Sequence, residues 1–147
     1  MKAFEVKKEL ESTLLSGNYK FLRVNFANGD MVGHTGDIDA AIIAAETVDK
    51  CVKDIVEIVN ELGGITIITA DHGNIDEMEE HKTAHTLNPV MFAIADSNYY
   101  DMYHVNKKYI INENLQEPAL GNVASTILNL LGYEKPDGYL DSLITFT

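Results

Sequence analysis

Across residues 37–62, Ile38, Ala41, Ile42, Ala45, Val48, Val52, Ile55, Val56, Val59 and Leu62 recur at intervals of three and four. That period places them on one face of a long amphipathic helix, and it is the clearest pattern in the chain. Asp37 and Asp39 stand in its first turn, where the helix dipole favours negative charge, and Gly63-Gly64 stops it. The segments on either side read as strands. Residues 19–26 are rich in aromatic and β-branched side chains and run into a loop, 27–36, that holds three glycines. Residues 65–70 form a continuous apolar run, β-branched from Ile65 to Thr69, as expected of a strand buried on both faces in a parallel sheet. Strand, helix and strand make a βαβ unit. Its right-handed crossover brings both post-strand loops, 27–36 and the one from Asp71 onward, to the carboxyl edge of the sheet, where ligands of open α/β sheets bind.

The flanking segments fit the same fold class. Phe4, Val6, Leu10, Leu14 and Leu15 have loosely helical spacing over residues 2–15, and Ser16-Gly17-Asn18 ends that helix. Residues 73–88 are polar and irregular, and Pro89 introduces a third short strand at 90–95. A helix over 123–131 follows Gly121-Asn122 and is stopped by Gly132, leaving residues 133–147 as a tail with a short terminal strand. Repeats, low-complexity tracts and Pro/Ser-rich linkers are absent, so 147 residues, 46% of them hydrophobic, read as one α/β domain able to bury a core.

Charge narrows the function. Lys plus Arg number 11 against 23 Asp plus Glu, a net charge of −12, which argues against a nucleic-acid or anionic-membrane surface and suits a collector of cations. Cys51 is the single cysteine, so an intrachain disulfide is excluded and a reducing, cytoplasmic setting is expected. The opening MKAFEVKKEL is too charged for a signal peptide, and no apolar run approaches the roughly 20 residues of a membrane span.

Three clusters could carry chemistry: Asp30-Met31-Val32-Gly33-His34, Asp71-His72-Gly73-Asn74 and Thr83-Ala84-His85-Thr86. Together they offer two carboxylates and three imidazoles, donors that suit a divalent cation such as Mn²⁺ or Zn²⁺, with two ions as plausible as one. Each has a plainer reading. Asp30 alone would pass for a turn residue after Asn28-Gly29, and His34 for a cap of the following helix. Asp71 at the end of a buried strand is harder to dismiss, because a buried carboxylate needs a partner. His81 and His104 lack such a setting and read as surface residues. Ser12, Ser16, Ser97, Ser125 and Ser142 lack a nucleophile elbow, Cys51 sits mid-helix, and Tyr99, Tyr100 and Tyr103 read as packing around a surface loop.

The runs Val24-Asn25-Phe26-Ala27-Asn28-Gly29-Asp30-Met31-Val32-Gly33-His34-Thr35-Gly36, Thr69-Ala70-Asp71-His72-Gly73-Asn74 and Thr83-Ala84-His85-Thr86-Leu87-Asn88-Pro89-Val90 resemble the carboxyl-terminal part of the cofactor-independent (2,3-bisphosphoglycerate-independent) phosphoglycerate mutases of the alkaline-phosphatase superfamily. The match in order and spacing covers most of the chain, including the helix and tail at 118–144. The resemblance implies a partial alkaline-phosphatase-like fold, a mostly parallel sheet flanked by helices around the βαβ core. It implies that Asp30, His34 and His85 bind one metal and Asp71 and His72 a second, with Mn²⁺ favoured over Mg²⁺, Co²⁺ or Zn²⁺ and no 2,3-bisphosphoglycerate cofactor. It implies interconversion of 3-phosphoglycerate and 2-phosphoglycerate through a phosphoserine, with two cations offsetting charge on the transferring phosphoryl group.

The departures shape the expectation as strongly. The family's nucleophilic serine, a further metal-binding Asp and the substrate-gripping domain have no counterpart in residues 1–147, and Arg23, Lys82 and Lys107-Lys108 form no evident clamp. The chain is therefore expected to be a carboxyl-terminal portion, inactive alone, whose partners are the rest of the enzyme and its phosphoglycerate substrate. Two other classes stand beside it: a metal-binding or subunit-pairing module without catalysis, and a related phosphatase or phosphopentomutase.

Overall fold

The computed structural model describes residues 2–78, 83–99 and 108–147. They fall into two compact units, Met1–Asp96 and Ser97–Thr147. His81, His104, Tyr100, Tyr103, Lys82 and Lys107 lie outside the described residues.

The first unit is organised by the long helix. Helix α1 (Ala3–Leu15) and helix α2 (Asn28–Gly33) both pack on α3 (Ile38–Glu61), and α3 lies against strand β1 (Ile65–Thr69). Ala41, Ala44, Cys51, Ile55 and Val59 of α3 are its buried residues, one stripe at helical spacing. Asp37 caps α3 by accepting from Ala40 N–H at 3.0 Å, and Gly63 closes the other end at φ 71°, a left-handed conformation that costs glycine little. Where α1 meets α3, Lys7 donates to Asp54, tying the two helices together, and the Cys51 thiol of α3 is buried.

Sheet pairing departs from the expectation. Among the described residues both sheets are two-stranded and antiparallel, β1 with β2 (Phe92–Asp96) and β3 (Tyr109–Ile111) with β4 (Ile144–Phe146). The parallel pairing between residues 19–26 and 65–70 is not formed. Residues 19–26 carry no strand assignment, and Tyr19, Phe21 and Val24 are exposed. The reason is that β-propensity describes fit to a half-buried pleated surface, and this segment has no neighbouring strand to supply one. For the same reason β1 is half-buried at its centre and exposed at both ends, where the sequence pattern predicts burial on both faces.

The glycine-bearing segment 27–36 also differs: residues 28–33 form α2 instead of an open loop. Met31 N–H bonds Ala27 O at 3.0 Å and His34 N–H bonds Asp30 O at 3.1 Å. Packing against α3 outweighs the poor helix propensity of Asn-Gly-Asp and the terminal glycine. Asp30 is thus a helical residue rather than a turn residue. His34 follows the end of α2, and the cap of the next helix is Asp37.

In the second unit, α4 (Asn122–Leu130) holds the tail through buried polar side chains. Asn122 Nδ2 donates to Asp141 O at 2.7 Å, Ser125 Oγ donates to Leu140 O, and Leu143 N–H donates to Thr126 Oγ1 at 2.9 Å. Ser125 and Thr126 have no exposed surface, so these hydrogen bonds are what make their burial tolerable. The tail is therefore tied down along its length and ends in β4. Strand β3 has no counterpart in the sequence reading, since three residues are too few for a periodicity. Tyr99 stacks edge-on against buried Tyr109 at 5.0 Å, which is packing within this unit.

Candidate metal centre

Helix α2 sets Asp30 and His34 four residues apart on one face, and the segment 83–88 brings His85 to the same place. His34 Nε2 lies 3.2 Å from Asp30 Oδ1, His85 Nε2 lies 3.1 Å from the same oxygen, and the two Nε2 atoms are 3.2 Å apart. Donors held about 2.1 Å from an ion stand roughly 3.0 Å apart across an octahedral edge and roughly 3.4 Å apart across a tetrahedral one. The observed triangle falls in that interval. The residues are partly exposed, leaving room for further donors on the open side.

A main-chain carbonyl selects the tautomer of His34. His34 Nδ1 lies 2.7 Å from Thr83 O, and a carbonyl oxygen only accepts, so Nδ1 carries the proton. In the neutral ring Nε2 then presents a lone pair to Asp30 and His85. Two nitrogen donors and a carboxylate oxygen converging in this way fit a divalent cation of intermediate hardness.

The other expected ligands lie beside this triangle. The His72 ring stacks on His85 with centroids 3.6 Å apart and an interplanar angle of 15°, and His72 Nδ1 lies 3.2 Å from Gly73 O. Asp71 is 3.6 Å from His72 Nε2 through Oδ1, but its side chain is 88% exposed. Asp71 is therefore a solvated carboxylate, not the buried one expected at the end of a covered strand. It follows β1 where the two-stranded sheet leaves it uncovered.

Two supporting residues lie outside the expected ligand set. Asn74, buried, donates from Nδ2 to Asp30 Oδ1 at 3.1 Å. Asp76 Oδ2 accepts from Asn88 Nδ2 at 2.8 Å and from Thr86 Oγ1 at 3.0 Å, and these donors, Asn88 foremost, hold its carboxyl below the usual carboxylate range. Asn74 was legible as the last member of the Asp71-His72-Gly73-Asn74 block. Asp76 had no signal, because its partners are ten and twelve residues away.

The chain resembles known proteins along most of its length. A crystal structure of Leishmania mexicana phosphoglycerate mutase at low cobalt concentration superposes with a TM-score of 0.88 at 35% identity, covering 100% of this chain and 29% of that one. This supports the α/β class and the alkaline-phosphatase-like architecture. The 2,3-bisphosphoglycerate-independent phosphoglycerate mutase of Zea mays is 40% identical over 98% of this chain and 28% of its own length. The mutase 2 of Methanosarcina barkeri is 45% identical over 92% of this chain and 25% of its own length. The chain thus spans little more than a quarter of the relatives it matches. Residues 1–135 match the Metalloenzyme superfamily, and the chain belongs to it.

Proposed function

We propose that this chain is the carboxyl-terminal, metal-binding portion of a cytoplasmic, glycolytic phosphoglycerate mutase that interconverts 3-phosphoglycerate and 2-phosphoglycerate through a phosphoserine. The observation that carries the reading is the convergence of Asp30, His34 and His85, whose ligand atoms all lie within 4.8 Å of one another. Asp30, His34 and His85 hold one divalent ion, and Asp71 and His72 contribute to a second, with Mn²⁺ the expected metal. Bound there, the ions supply positive charge that offsets the transferring phosphoryl oxygens.

The residues of this chain bind and orient; the phosphorylated serine, the remaining metal ligand and the substrate grip belong to the rest of the enzyme. Support for that division comes from Ser125 and Ser142, both buried with their hydroxyls engaged. Alone, the chain is inactive.

A coupled assay for 3-phosphoglycerate to 2-phosphoglycerate conversion, run on the chain alone with Mn²⁺ and beside a full-length relative, tests this. No turnover with Mn²⁺ bound is expected. Turnover by the chain alone would move the nucleophile into these residues.

A second reading, a pairing module without catalysis, draws on the exposed aromatic residues Tyr19 and Phe21 in a segment without strand partners. Light scattering separates the two, since a stable monomer counts against a partner-seeking edge.

A further inference from the structure

Three separate segments deliver the ligands: α2 with Asp30 and His34, the turn after β1 with Asp71 and His72, and residues 83–88 with His85. Only non-covalent contacts set their spacing. Residues 73–76 touch both of the other segments. On one side, Asn74, 7% exposed, donates to Asp30 Oδ1, the same oxygen that faces both imidazoles. On the other, Thr86 N–H donates to Gly73 O at 2.9 Å, while Thr86 Oγ1 and Asn88 Nδ2 donate to Asp76 Oδ2. Thr86 is 6% exposed and directly follows His85, so its anchoring holds the His85 backbone next to the ring that stacks on His72.

We propose that Asn74 and Asp76 are positioning residues for the ligand set, Asn74 orienting the Asp30 carboxylate and Asp76 holding the His85 loop against residues 73–76. The proposal rests on the metal-site reading above. Asp76 acts here as an acceptor, its Oδ2 taking both side-chain bonds from the 86–88 segment. A ligand whose neighbours are fixed in this way loses little conformational freedom on binding an ion, and loss of such outer partners costs metal sites about 10–100-fold in affinity.

The test uses the 147-residue chain, Co²⁺ alone as probe, calorimetry with visible absorption, and long-range ¹H–¹⁵N spectra of the imidazoles in metal-free protein. Asp76→Ala is expected to weaken Co²⁺ binding about 10–100-fold, to alter the Co²⁺ bands and to shift the His85 ring resonances without metal. Asp76→Asn keeps an oxygen that accepts both bonds and is expected to restore affinity, spectrum and resonances. Asn74→Ala is expected to weaken binding and to shift the ring resonances of both His34 and His85, because Asp30 Oδ1 faces both. Equal loss in Asp76→Ala and Asp76→Asn would overturn the proposal, because the charge would then be acting, not the hold. Unchanged His85 resonances in Asp76→Ala would overturn it as well. If neither the unmodified chain nor His85→Ala binds Co²⁺, the metal-site reading fails, and the metal-free imidazole spectra alone decide the positioning of His85.

Discussion

His34 donates through Nδ1 to the main-chain oxygen of Thr83 at 2.7 Å, across 49 residues of sequence. The bond joins α2 to the segment that bears His85 and selects the tautomer whose bare Nε2 faces Asp30. In metal-free protein at a pH where His34 is neutral, long-range ¹H–¹⁵N spectra should therefore show the Nδ1–H tautomer. A predominant Nε2–H tautomer would contradict the assignment.

Substitutions of the ligand-type residues should rank by their place in the triangle. His85→Ala and Asp30→Ala each remove an atom about 3 Å from both other donors, so each should weaken Mn²⁺ binding by more than the about 10–100-fold typical of an outer partner. Asp71→Ala, at an 88% exposed side chain, should cost less. Calorimetric titration of the three variants checks the order.

Gly33 stands where a side chain has no room. A Cβ there would lie 2.0 Å from Asn74 Oδ1 and 2.8 Å from Ile75 Cγ2. Gly33→Ala should push Asn74 off Asp30, destabilise the chain by about 1–3 kcal/mol as overpacking does, and weaken metal binding in the same variant. Thermal melts paired with calorimetry test both effects.

Asp76 links the site to acid stability. Its folded-state pKa is depressed by donors, so the unfolded chain binds the proton more readily, and the stabilisation is in place at neutral pH. It is lost as pH falls below the ordinary carboxylate range and through the depressed value. Denaturant midpoints measured down that range should fall more steeply in the unmodified chain than in Asp76→Asn, which has no charge to lose.

Cys51 has no exposed surface, and burial pushes its thiol up from the ordinary range. An aromatic disulfide reagent should leave it unmodified in the native chain and label it fully in denaturant. The raised folded value means this residue's contribution is intact at neutral pH and is lost as pH rises through the alkaline thiol range. Fast native labelling would show that the α1–α3 contact opens.

How much was legible follows from what each feature depends on. The period of residues 37–62, the capping Asp37 and the stopping Gly63 are local properties, and α3 has the bounds they predict to within a residue. Both β1 and β2 were readable from short apolar runs, as was α4 from its spacing. The three ligand-type blocks stood out because Asp and His at those spacings have few uses beyond turns, caps and metals. Tertiary structure decided the rest. Residues 19–26 have strand-forming side chains but no ladder, because a strand exists only when a neighbour accepts its hydrogen bonds. Residues 28–33 are helical because α3 offers a surface to pack on. The distances among Asp30, His34 and His85, the exposure of Asp71 and the grip of Asn74 and Asp76 depend on contacts between segments far apart in sequence, which periodicity does not encode.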